Sequence, residues 1–168
     1  MNLAHSPLMQ RAFKLWSQLT AALEALQPAA ALAARIYVGQ AFFLSGLTKI
    51  RDWDTTVALF TDEYKVPLLP PAMAALMGTA GELVLPVLLV LGLGGRFAAL
   101  GLSVVNAVAV ISLAEIAPAA LQQHVFWGAL LAGIAIFGPG KWSLERLVWP
   151  RIAGAPAADP VAARLTPS

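Results

Sequence analysis

The chain has 168 residues, 59% hydrophobic and 12% charged, with eleven Lys and Arg against nine Asp and Glu for a formal net charge of +2. Soluble domains carry about 25% charged residues, so this balance, with a mean hydropathy of +0.74, excludes an ordinary soluble domain and points to a membrane protein. The calculated pI of 9.3 rests on too small an excess to suggest nucleic acid, and zero cysteines exclude disulfides, thiolate metal sites and iron-sulfur ligation.

Residues 8 to 26 place Met9, Phe13, Trp16, Leu19, Leu23 and Leu26 at helical spacing, with Gln10, Arg11, Lys14, Gln18 and Glu24 largely between them. This pattern predicts an amphipathic helix on the cytoplasmic face, acting as an interfacial anchor or as a docking surface. Its mixed composition is not that of a cleavable signal peptide. Four apolar runs follow, at about 31 to 48, 72 to 93, 96 to 115 and 123 to 138; a spanning helix needs about 20 residues, and the last, shortest run is matched to the bilayer at its interface. The fold expected is all-α, a membrane four-helix bundle with short amphipathic surface helices. Its divisions are an N-terminal helix over 1–28, a membrane domain over 29–150 and a disordered tail over 151–168.

Between the first two runs lies a charged stretch, Lys49 to Pro71. Asp52 or Asp54 caps a short helix over about 52 to 65, and Trp53, Val57, Phe60 and Tyr64 form one apolar stripe on it. Pro67, Pro70 and Pro71 stop this helix and start the next span. Trp53, Phe60 and Tyr64 are therefore expected to touch lipid, bundle or partner, giving the stretch a lid or docking role. "GLGGR", Gly92 to Arg96, reads as a tight inner turn and not as a phosphate cradle, while "EIAPAALQQH", Glu115 to His124, reads as a short outer loop. In "GPGKWSLERL", Gly138 to Leu147, the glycines and Pro139 end the last span and Ser143 caps a short cytoplasmic helix. Gly78, Gly81, Gly101 and Gly128 with Ala132 read as close-packing positions. Arg11, Lys14, Arg96, Lys141, Arg146, Arg151 and Arg164 fall with the termini and the turn between spans two and three. By the positive-inside bias both termini are cytoplasmic, in the cytoplasmic (inner) membrane.

Charges inside a bilayer are costly and mark candidate sites. Glu82 lies about 15 Å deep in span two, near the midplane, and Arg35 about four residues inside the other end of span one, a gap of roughly 9 Å. Asn106 reaches the depth of Glu82. The expectation is one buried cluster of Arg35, Glu82 and Asn106, serving either as a structural ion pair or as a ligand, quinone or proton site. Pro86 removes the helical donor for the carbonyl of residue 82. Lys49 shares the face of Arg35, Gly39, Phe42 and Gly46 at the outer border, where it either snorkels or joins Arg35, Glu82 and Asn106 in the same polar cluster or ligand site. Met73, Met77, Glu115, Gln123 and His124 gather at the outer mouth, where thioether and imidazole would suit copper, although packing methionines and a solvated histidine are the commoner arrangement.

The runs "RIYVGQAFFLSGLTKIRDW", "GELVLPVLLVLGLGGRFAALGL" and "GPGKWSLE" resemble the DoxX family of four-helix membrane proteins from about Arg35 to Leu147. The matching positions are Arg35, Gly46, Lys49, Glu82, Gly92, Arg96 and Gly138 to Leu144, with the usual acidic end appearing as Glu145. "DWDTTVALFTDEYKVPLLPP", "VVNAVAVIS" and "HVFWG" are more narrowly similar to the subgroup found beside bufferin-type copper-binding ribosomal peptides. That resemblance implies an accessory role in maturing, handling or exporting such a peptide under metal or oxidative stress, with the peptide and its modifying enzymes as partners. Other DoxX relatives are linked to a thiosulfate:quinone oxidoreductase, which implies a membrane subunit with a quinone-facing midplane site. A small-solute carrier is a third reading and would need a homo-oligomer to enclose a path.

Overall fold

The computed structural model describes residues 7–146 and 148. The expected tail over 151–168 lies outside the described residues, as does the start of the N-terminal helix. Among the described residues five helices carry the fold: α1 (Pro7–Arg51), α2 (Trp53–Asp62), α3 (Pro71–Leu91), α4 (Gly95–Ile111) and α5 (Pro118–Phe137). No strand occurs among them.

The N-terminal amphipathic segment and the first span are a single helix of 45 residues, with Pro28 inside it. Pro28 takes away one backbone donor, the one that would serve the carbonyl of Glu24. Alanines at 29, 30, 31, 33 and 34 carry the helix past that gap, alanine having the lowest cost of any residue in a helix. At 1.5 Å per residue α1 is about 68 Å long, more than twice the hydrocarbon thickness. Among the described residues, positions 10 to 26 include none that is buried, and Phe13, Trp16, Leu19 and Leu23 are exposed.

Burial begins at Pro28 and continues on one face through Arg35, Val38, Gly39, Phe42 and Gly46. This face packs on α3, which in turn packs on α4, and α4 on α5; α5 closes weakly against α1. The shared core is Val38, Phe42, Leu89, Ala98, Ala99, Leu102, Leu131 and Ile134. Glycines set the approach of the helices. A Cβ on Gly39 would lie 2.6 Å from Val90, one on Gly46 2.9 Å from Leu83, and one on Gly101 2.8 Å from Leu85.

Outside this core the apolar side chains turn outward, as a lipid-solvated bundle requires. Three helices, α1, α3 and α5, are long and apolar enough to cross a membrane; α4, with 17 residues, is the shorter fourth member. Two boundaries differ from the expected spans. Helix α4 stops at Ile111 with Ser112 as its cap, and α5 begins at Pro118. Proline at the first helical position is pre-organised for a start, so most of the supposed outer loop is the opening turns of α5.

Candidate functional site

The site is built where α1 and α3 pass closest. Gly46 brings the α1 backbone against Leu83 and Glu82. One turn further along α1, Lys49 then reaches the same α3 surface. Its ammonium lies 2.5 Å from Glu82 Oε2 and donates to Ser45 Oγ at 3.0 Å. Only 10% of the Glu82 side chain is exposed. The carboxylate and ammonium neutralise one another in an apolar setting, which is the condition for keeping either there.

Arg35 is not part of this group. Its guanidinium, fully buried, donates to the carbonyls of Val90 at 3.3 Å and Trp142 at 2.5 Å. The expected Arg35–Glu82–Asn106 cluster is therefore corrected. The helices run antiparallel, so the level of Glu82 meets residues 46 to 49 of α1, whereas Arg35 meets the end of α3, eight residues and about 12 Å away. There it faces the negative end of the α3 dipole and an unfilled terminal carbonyl. Gly92, left-handed at φ 68°, leaves room for this, since a Cβ would strike the Arg35 guanidinium and Ser143. Arg35 thus ties the α3–α4 turn to the segment after α5.

Asn106 makes a different pair. Its amide nitrogen donates to the His124 carbonyl at 3.0 Å, which turns its oxygen toward His124 Nδ1, 2.7 Å away. Nδ1 is then the ring donor and Nε2 carries the free lone pair. The imidazole stands edge-on to Trp127, whose ring centre is 5.1 Å away, and Trp127 packs on Phe42. The Trp127 Nε1–H is buried with no acceptor among the described residues.

Between these groups lies a cavity of about 390 Å³ lined by Lys49, Glu82, His124, Phe42, Trp127 and Met77, with Phe60, Tyr64 and Leu69 of the α2 segment over it. Helix α2 is fastened at both ends. Asp52 accepts from the Thr55 N–H at 3.1 Å and its hydroxyl at 2.7 Å, and these bonds hold the Asp52 carboxyl below its ordinary range. The buried Thr56 hydroxyl bonds the Lys49 carbonyl, and the Lys65 N–H bonds the Ser112 carbonyl. Phe60 and Tyr64 stack 5.0 Å apart. Burial, with the charges of Glu63 and Glu82 adding to it, raises the Tyr64 hydroxyl above its usual value.

Phe60 and Tyr64 of the expected stripe thus face the cavity, while Trp53 stays exposed. The outer-mouth set is not brought together: Met77 and His124 line the cavity, but Met73 and Glu115 do not, and Gln123 donates instead to the Tyr37 hydroxyl. No group of three His, Asp or Glu able to hold a metal forms among the described residues. Sequence reasoning placed Lys49 and Glu82 in one polar group with Arg35 and Asn106 but did not single out their direct pairing, although Gly46 one turn before Lys49 marked the place. It also missed Trp127 and Phe42, whose apolar character hid them among packing residues.

A bundle of long apolar helices around an ion-paired cavity defines a multi-pass α-helical membrane protein. The chain belongs to the DoxX family, whose model matches residues 30–115, more than half of its length. No curated protein and no solved structure matches it.

Proposed function

We infer that the chain is the membrane subunit of a quinone-linked oxidoreductase, of thiosulfate:quinone type, and that its cavity takes the quinone headgroup. One observation carries this reading. An aromatic-lined cavity contains an ammonium donor, Lys49, paired with Glu82 and largely removed from water. An ammonium in an apolar setting favours a ligand that brings oxygen acceptors to it, and a ligand bearing carbonyl oxygens on an apolar ring meets that demand. Such a ligand fits the lining: Lys49 would hold an oxygen, and Phe42, Phe60, Tyr64 and Trp127 its ring. The quinone would supply two-electron, two-proton redox chemistry when bound. Glu82 Oε2 and His124 Nε2 belong to lining residues and would be the atoms able to hold or pass a proton there, and the α2 segment would shield the site from water.

Gentle purification followed by solvent extraction tests this. Quinone is expected to accompany the chain in near-equal amount and to be lost at least tenfold from Glu82→Gln and Phe60→Ala at unchanged abundance. A chain free of quinone, whose thermal midpoint does not move when quinone is added, would sink the reading.

A second reading is favoured by the same end of the bundle. The exposed acids Asp54, Asp62 and Glu63 and the half-exposed Met73 and Met77 form a surface suited to a cationic or copper-bearing peptide. This supports the accessory role in peptide maturation under metal stress. Co-purification of such a peptide without quinone would select it. The placement of Arg11, Lys14, Arg96, Lys141 and Arg146 at the opposite end supports cytoplasmic termini in the inner membrane, which cysteine-accessibility labelling at positions 10 and 58 would check.

A further inference from the structure

The end of the bundle away from α2 holds a second cavity, of about 440 Å³, between the first turn of α4, the last residue of α5 and the segment that follows α5. Water occupies about 30 Å³ per molecule in the liquid, so this space holds a group of many atoms. Arg96 enters from α4 and Arg146 from the closing segment. The only acid among the described lining residues, Glu145, is already turned to the α4 N-terminus, where it accepts from the Gly95 N–H at 3.3 Å. Arg96 makes one long bond, 3.4 Å, to the Ile136 carbonyl, and neither arginine is ion-paired among the described residues. Phe97 and Phe137 complete the lining and are 68% and 85% exposed on the outside of the bundle.

We propose that this cavity binds the phosphate of an anionic phospholipid. Two guanidiniums with most of their donors unfilled among the described residues match the oxygens of a phosphate diester. The exposed phenylalanines beside them add what a free phosphate could not use, an apolar surface for the start of the acyl chains. Basic pockets between helices at the membrane surface take anionic headgroups by this combination. The glycines of the turn contribute by backbone shape alone. Gly138, at φ 85°, lies under the Arg96 guanidinium, and Pro139 sits so close to Gly95 that a Cβ there would lie 2.6 Å from its ring. These contacts hold the closing segment, and with it Arg146, beside Arg96. The α4 N-terminal N–H is not part of the site, because Glu145 occupies it.

Native mass spectrometry of the full chain from detergent tests the proposal, with phosphatidylglycerol, phosphatidylcholine and inorganic phosphate as probes. One phosphatidylglycerol is expected to be retained at least tenfold over phosphatidylcholine. Arg146→Gln should lower that retention about tenfold and Arg96→Lys less, with the quinone content unchanged. Arg146 is exposed, so its replacement spares the fold even if Arg96→Gln does not. Equal retention of the two lipids, retention unchanged in Arg146→Gln, or displacement by millimolar inorganic phosphate with no lipid held would each overturn it.

Discussion

At the scale of single residues, the ion pair shows how geometry converts a costly charge into a usable one. Lys49 and Glu82 are each tolerable because the other is there; alone, either would be an unpaired charge in an apolar bundle. Lys49→Met is therefore expected to lower stability by about 3 kcal/mol, and a double variant, Lys49→Met with Glu82→Leu, to recover most of that loss while still failing to bind ligand. Thermal melts in detergent read both. A double variant no more stable than the single one would mean that the ion pair is not what the fold depends on at this site. Arg35 differs, since it faces carbonyls and not a carboxylate. Its replacement should loosen the junction of the α3–α4 turn with the closing segment without touching the Lys49–Glu82 cavity.

At the scale of elements, two contacts are decisive. Gly46 sets the α1–α3 distance, and Gly46→Val forces a branched side chain into Leu83 and Glu82. Overpacking of this kind costs roughly 1–3 kcal/mol, and here it should also part Lys49 from Glu82, so ligand content should fall along with the melting temperature. Helix α2 depends on its cap. Because the Asp52 carboxyl is lower in the folded chain than in the unfolded one, its contribution is present above the ordinary aspartate value near 3.9 and is lost as pH falls through the lower folded value. Protection of amides 53 to 62, taken relative to their intrinsic exchange rates at each pH, should accordingly fall below about pH 4 in the wild type, and Asp52→Asn should blunt that response. The reading of α2 as a short capped helix with an inward aromatic side was legible from "DWDTTVALF", since the cap and the stripe are local. That Phe60 and Tyr64 cover a cavity was not, because α3, α4 and α5 had first to be placed beneath them.

At the scale of the whole molecule, the chain is a compact bundle whose first helix extends well beyond it. Residues 10 to 26 of α1 include no buried position among the described residues, so stability of the bundle should not depend on them. Deleting residues 10 to 24 is expected to leave membrane insertion, melting temperature and ligand content within error of the full chain. A fall in any of these would give the extension a role inside the bundle. The two cavities lie at opposite ends, one ion-paired and roofed, the other basic and open. This polarity follows from the distribution of charge along the chain and the antiparallel run of the helices.

The sequence by itself determined the membrane character, the all-α class, the helix-capping residues and the glycines at close approaches, because each of these depends on composition or on spacing within about one element. It also singled out Arg35, Glu82, Asn106 and Lys49 as polar groups too costly to be idle. Which of them meet was decided only by the tertiary structure. Depth estimated from span ends is uncertain by a turn or two, and a turn is about 5.4 Å, enough to exchange one partner for another. The same is true of the second cavity. Arg96 and Arg146 stand fifty residues apart in the chain, and only the packing of the Gly138–Ser143 turn against α1, α3 and α4 brings them together.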